Sequence, residues 1–217
     1  IGTIDPAFMD VPGEILQTAM RAHQKYFSLR DPKTGKFANK FAFVANMAAA
    51  DGGKEIIAGN ERVLRARLSD ARFFWDEDRK TSLASRVDQL ATVLFHKKLG
   101  TYREKAERIA ALARWIAADV LGAPEAADHA EQAARLAKAD LATDMVRELT
   151  ELQGTMGGIY AREEGQPEAV WKAIALHYLP IGVDAEAAPS RQALGTAAAT
   201  WAAVALADKL DSVVGMF

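Results

Sequence analysis

The chain has 217 residues, half of them hydrophobic, and a formal charge of −2, so it can bury a sizeable core but has no global attraction for a polyanion. It contains no cysteine, which excludes a disulfide framework, a thiolate metal site and a cysteine nucleophile. No apolar run escapes interruption by Asp, Lys, Arg or Gly for long enough to span a bilayer, and nothing reads as a signal peptide; a soluble intracellular protein is the expectation.

Val11 to Gln24 reads as a short helix, with Pro12 in its first turn and Ile15, Ala19 and Ala22 or His23 recurring. Lys25–Arg30 and Phe37–Met47 flank Asp31-Pro32-Lys33-Thr34-Gly35-Lys36, whose Pro and Gly favour chain reversal. Phe37, Phe41, Phe43 and Ala45 share one parity, so a β-hairpin is expected, packed on helices or on a sheet. Gly59 to Lys80 then reads as a helix with Leu64, Leu68, Ala71 and Trp75 on one side. Arg62, Arg65, Ser69, Arg72 and Asp76 recur on another. Such a stripe either docks anionic backbone, which suits the guanidinium fork, or is a solvated face paired with Glu61, Asp70 and Asp76.

Ser82 is placed to cap a helix carrying Leu83, Val87, Leu90 and Leu94, ending near Gly100. Thr101 with Glu104 has the spacing of a capping box, and Tyr102, Ala106, Ile109, Ala113, Ile116 and Val120 mark the apolar face that follows. Gly122 and Pro124 stop that helix and start the next. Roughly a fifth of the residues are alanine, concentrated after residue 105, and small side chains let helices approach closely. The expectation is a mainly α protein: an N-terminal helix and β-hairpin region over 1–58 and a compact multi-helix domain over 59–217.

Motif-based chemistry is sparse. Gly154-Thr155-Met156-Gly157-Gly158 lacks the Lys-Ser/Thr ending of a phosphate loop and fits close helix packing or a kink, with Gln153 and Tyr160 as ligand contacts if the bend opens onto a cleft. His177 and Tyr178, just before Pro180, sit at a helix end where an imidazole would meet the C-terminal dipole. Asp144 and Glu148 with Arg147 read as a solvated charged face. No catalytic residue is expected.

Several segments in order resemble one family. Gly59–Lys80 is similar to a signature of the β subunit of bacterial glycyl-tRNA synthetase, the form built from separate α and β chains. His23-Gln24-Lys25-Tyr26-Phe27, then Leu99-Gly100-Thr101 with Arg103, Lys105 and Arg108, resemble further segments of it. Ala137-Lys138-Ala139-Asp140-Leu141, Gln153-Gly154-Thr155-Met156-Gly157 and Ala207-Asp208-Lys209-Leu210-Asp211 continue in the family's order. With no initiator Met and an apolar end at Val213, Val214, Met216 and Phe217, the chain reads as a middle fragment of such a subunit.

The resemblance implies a division of labour. The α subunit activates glycine with ATP and Mg, and the β subunit holds tRNA(Gly) in a cytoplasmic heterotetramer; no cofactor is implied for this fragment. Candidate tRNA contacts are Arg62, Arg65, Arg67 and Arg72, with Lys97, Lys98, Arg103 and Lys105 around the Gly100 turn. An assembly module contacting the α subunit or neighbouring β domains is the alternative. No DNA and no membrane are implied as partners. The helical region also resembles the HD superfamily of metal phosphohydrolases in degenerate form: Asp140 and Asp208 fall on its aspartates, but Ala139 stands where a histidine is required. His23, His96, His129 and His177 do not fall on the required positions, so metal hydrolysis is the least favoured reading. Asp208 and Asp211 are equally an i, i+3 pair that caps or pairs near Lys209.

Overall fold

The computed structural model describes residues 1–47, 49–182 and 187–217, and the chain is mainly α. Contacts divide it into two compact units: Ile1–Lys80 with Glu148–Leu152, and Thr81–Arg147 with Gln153–Phe217. Each is described by itself.

In the first unit α1 (Gly13–Gln24) buries Ile15, Leu16, Ala19 and Met20. It ends on Lys25 in the left-handed region (φ 57°), where the amide of Tyr26 reaches back to the Met20 carbonyl. The expected hairpin is present as β2 (Phe27–Arg30) against β3 (Phe37–Ala42). Asp31 builds its turn by accepting from the amides of Lys33 and Thr34, and Gly35 supplies a positive φ.

The sheet the hairpin needed is completed by β1 (Gly2–Thr3), which pairs antiparallel with β3. Gly2 lies opposite Phe41, and a Cβ there would sit 2.5 Å from the Phe41 ring, so only glycine lets the strand close over that fully buried side chain. Tyr26, Phe41 and Phe43 stack beneath it, with centroids 4.9–5.8 Å apart.

The arginine-bearing helix, α2 (Lys54–Asp78), begins five residues before the expected Gly59. Asp51 is the reason. Its carboxylate accepts from the amides of Gly53 and Glu55, filling donors that a helix start leaves open. Residue 58, the expected end of the first domain, therefore lies inside one continuous helix, and the compact units divide after Lys80.

In the second unit α3 (Leu83–Gln89) starts on Ser82, whose hydroxyl accepts from the Ser85 amide. The sequence reading carries this helix through Leu94, and here the structure corrects it. After a 3-10 turn at Leu90–Thr92 the chain extends into β4 (Leu94–His96), paired with β5 (Gly100–Thr101). Val93, Leu94 and Phe95 favour extended backbone, Gly100 turns at φ 83°, and the Tyr102 amide binds the Val93 carbonyl. The Thr101–Glu104 capping box forms as expected and opens α4 (Tyr102–Trp115), continued by a π turn over Ile116–Val120.

The remaining helices are α5 (Ala127–Leu136), α6 (Asp144–Glu148), α7 (Thr155–Glu163), α8 (Glu168–Leu176), α9 (Arg191–Leu194) and α10 (Ala198–Met216). The core is built on alanine: Ala106, Ala110, Ala113, Ala130, Ala133, Ala173, Ala203 and Ala207 are fully buried where α4, α5, α8 and α10 pack. A Cβ on Gly158 would lie 2.4 Å from the Ala175 Cβ, so the glycine pair serves close packing of α7 on α8. No helix among the described residues is long and apolar enough to cross a membrane.

Candidate nucleic-acid interface and a buried charge cluster

The α2 arginines divide into two kinds. Arg65 pairs with Asp5 at 2.9 Å. Arg72 binds Asp10 at 2.8 Å, donates to the Ala7 carbonyl and lies 3.7 Å from Asp76. These two hold the N-terminal segment down on α2, while Glu61 accepts the Thr3 amide at 2.7 Å. Arg62 and Arg67 are exposed and make no ion pair or hydrogen bond with the described residues. Arg67 lines a cleft with His23, Asp70, Phe74 and Glu148.

The second basic group separates further. Lys97 and Lys98 occupy the tip between β4 and β5, exposed, with their ammonium groups unpaired among the described residues. Arg103 is exposed beside Asp88 and Glu107, both at 3.4 Å. Lys105 is different: it is 2% exposed and cannot reach a phosphate. Its ammonium donates to Asp211 (3.1 Å), Ser212 (2.8 Å) and the Asp208 carbonyl, lies 3.0 Å from Asp208 Oδ1 and sits over the Phe95 ring. The reason was visible in the helix period, since 105 follows 102 by three and precedes 109 by four on the buried face. Arg108 joins this clamp through two bonds to Asp211 and one to the Leu99 carbonyl.

Deeper in the same unit lies a cluster that sequence reasoning missed. Lys138, 2% exposed, places its ammonium 2.8 Å from Asp208 Oδ2, 2.8 Å from His177 Nε2 and 3.9 Å from the Tyr178 ring centroid. His177 Nδ1 lies 2.6 Å from the Ile174 carbonyl. That carbonyl needs a donor, so Nδ1 carries the proton and Nε2 accepts from Lys138. Burial, reinforced by the neighbouring ammonium, drops the imidazole pKa to about 3. His177 is therefore neutral at a helix end, which corrects the expected cation–dipole interaction; Lys209 instead caps α8 by donating to the carbonyls of His177, Tyr178 and Leu179.

Burial lowers Lys138 to about 8 against the pull of Asp208. Asp208 is held at about 2 although burial opposes it, because Lys138 and Lys105 both favour its charge. The sequence carried a signal for the burial of Lys138 but not for its partners: it stands within the Ala137–Leu141 motif and four residues after buried Ala134.

Asp140 is fully buried and its Oδ2 accepts from the amides of Gly154 (2.6 Å) and Gly157 (3.0 Å). Its own carboxylate thus fills the start of α7, where a bound phosphate would otherwise be sought, and Tyr160 is buried there. Exposed Gln153 meets the Tyr178 hydroxyl at 3.5 Å. Burial outweighs those amides and raises Asp140 to about 6, and its Oδ1 is buried with no donor. Ala139 offers no ligand atom, and the His177 lone pair and Asp208 are taken up by Lys138. Among the described residues no group of three or more His, Cys, Asp or Glu is placed to hold a metal, so the residues present do not fit the HD-type centre.

Comparison with known proteins places these features in a family. A family model described as glycyl-tRNA synthetase beta subunit matches residues 1–217, and the chain belongs to this family of aminoacyl-tRNA synthetase subunits. The glycine–tRNA ligase beta subunit of Phenylobacterium zucineum is 54% identical over 217 residues, and that of Rhodospirillum centenum is 50% identical. All of this chain is covered in both cases, against 31% and 29% of the respective relatives, so the chain spans under a third of their length.

Proposed function

We propose that this chain acts as part of a cytoplasmic glycine–tRNA ligase, in which it helps bind and position tRNA(Gly) while glycine activation with ATP and Mg takes place on the α subunit. The observation that carries the reading is family membership along the whole chain, combined with exposed cations at Arg62, Arg67, Lys97 and Lys98 that have no partner among the described residues. Exposed cations without internal partners contact phosphate at no cost in internal pairing, and RNA would be selected by shape and 2′-hydroxyl groups. Arg65, Arg72 and Arg103 are secondary contacts, since each must share its guanidinium with a carboxylate. Lys105 drops out of the contact set.

Titration of the chain with tRNA(Gly) at two salt concentrations tests this. Arg62→Glu with Arg67→Glu should weaken binding at low salt and flatten the salt dependence, by roughly 0.7–0.9 in log–log slope for each phosphate that the protein no longer neutralises. An unchanged affinity and slope would remove α2 from the RNA surface.

A second reading, assembly on the α subunit or on other β domains, is favoured by one observation. Leu206, Leu210, Val213, Val214 and Phe217 form an exposed apolar stripe along α10. Loss of α-subunit capture on Leu210→Asp with Val214→Asp, at unchanged tRNA affinity, would favour it.

A further inference from the structure

The His23–Phe27 segment presents an aromatic ring that the fold itself does not use. Strand alternation turns Tyr26 inward and Phe27 outward. Tyr26 is buried, stacked on Phe41 and Phe43 and bonded through its hydroxyl to Asn60. Phe27 pairs with Ala42 of β3 along the backbone, and its side chain is left 60% exposed. With its neighbour anchored below, the ring has no route into the core.

Lys25 adds a second anomaly. Among the described residues it is the one residue other than glycine with a positive φ, at a helix end where glycine would be less strained. Its ammonium is exposed and reaches only the Ala22 carbonyl, at 3.4 Å, with no carboxylate partner among the described residues. Lys25, Tyr26 and Phe27 form a wall common to two clefts of about 340 and 490 Å³. Both fall in the range of small-ligand pockets, roughly 300–1,000 Å³. No carboxylate lines either one, unlike the clefts bordered by Asp5 and Glu61 or by Asp70 and Glu148. Arg21 also lines the smaller cleft, sharing its guanidinium with Glu151 at 2.9 Å. Gln17 borders the smaller cleft and Gln24 the larger, and their side-chain amides have no partner among the described residues.

An exposed aromatic face, an adjacent unpaired ammonium, uncommitted side-chain amides and no acid meet the needs of an unpaired nucleotide. The base stacks, the cation meets phosphate, and the amides meet base edges or ribose. A duplex keeps its base faces inside its own stack and gains nothing from the ring.

We propose that Phe27 is a stacking platform for an unpaired nucleobase of RNA, with Lys25 on the adjoining phosphate. The inference rests on the RNA-binding reading above and adds to it a site for single-stranded RNA.

The probe is a short single-stranded oligoadenylate, with a duplex RNA of the same length as control, each titrated against the 217-residue chain. Phe27→Ala should weaken oligoadenylate binding about 5- to 150-fold. Its salt slope should not change, because stacking releases no counterions. Phe27→Trp should retain binding, with a quench of indole fluorescence larger than in wild type. Lys25→Asn tolerates the left-handed turn and should flatten the log–log salt slope by about 0.7. Duplex binding should not respond to Phe27→Ala. Unchanged oligoadenylate affinity in Phe27→Ala overturns the proposal and leaves the ring to an apolar protein partner. An equal loss for the duplex, Phe27→Trp binding as poorly as Phe27→Ala, or no oligoadenylate binding by wild type overturns it as well. Titration of tRNA(Gly) in parallel separates the two readings. Binding of tRNA(Gly) by a chain whose oligoadenylate affinity ignores Phe27 sinks this inference alone, whereas Phe27-dependent oligoadenylate binding without tRNA(Gly) binding sinks only the earlier reading.

Discussion

The α2 stripe and the Lys138 cluster use the same chemistry, cations facing carboxylates, in opposite settings. On α2 the Arg65 side chain of the Arg65–Asp5 pair is 65% exposed and Asp5 29%, whereas Lys138 is 2% exposed. Water does much of the work of stabilising the guanidinium in the first case, so it can be released to another anion at little cost. In the second, each charge depends on its neighbours, because none has solvent to fall back on. Exposed pairs are therefore exchangeable and suit recognition, whereas the buried set is committed and suits architecture.

The sharpest way to break this contrast is to neutralise one buried charge. Asp208→Asn removes the carboxylate shared by Lys138 and Lys105 and should cost about 3–5 kcal/mol, the range for breaking a buried pair. Urea unfolding reads it directly, and a destabilisation below about 1 kcal/mol would put the cluster in the same class as the surface pairs.

A second test uses pH. His177 has a folded pKa of about 3 against an ordinary 6.5, so between these values the unfolded chain holds the extra proton and stability rises with pH. Asp140 runs the other way: at about 6 when folded against 3.8, the folded chain holds the extra proton, and stability falls as pH rises through that window. The two slopes cancel between about pH 4 and 6. Asp140→Asn keeps an acceptor for the amides of Gly154 and Gly157 but removes the opposing slope. Relative to wild type its stability should climb by about 1.4 kcal/mol per pH unit across that window. Parallel curves for the two proteins would show that Asp140 does not hold a proton there. Below pH 4 Asp208, held at about 2, adds to His177, and the wild type should lose stability steeply.

The smallest effect is expected on α2. Arg65→Ala should change stability by at most about 1 kcal/mol, and less as salt is raised. A larger, salt-insensitive change would mean that the clamp on the N-terminal segment is structural in the same sense as Lys138.

What could be read from the sequence follows the range of the forces involved. The capping box at Thr101, the Ser82 cap and the Asp31 turn depend on residues three apart or closer, and all were legible. The two-residue β1 was not, since its pairing with β3 spans nearly forty residues and rests on a glycine fitting under Phe41. The overlong reading of α3 came from counting leucines through Leu94, which the structure leaves 65% exposed. Among site residues, Lys97 and Lys98, expected around the Gly100 turn, lie at the exposed tip between β4 and β5. Lys105 was misjudged because charge was weighed ahead of helical phase. His177 and Lys138 were invisible as partners because residues thirty-nine apart meet only after α7 and α8 fold back.

Asp140 at the head of α7 carries one more consequence. A helix start with a glycine at each approach is an invitation to any passing phosphate. Here the chain supplies its own anion, seated before any ligand arrives and matched to the amides of Gly154 and Gly157. A phosphate would have to evict a covalently tethered rival, whose local concentration no free ligand can match. The folded unit is thereby saturated at birth: the start of α7 is filled from within.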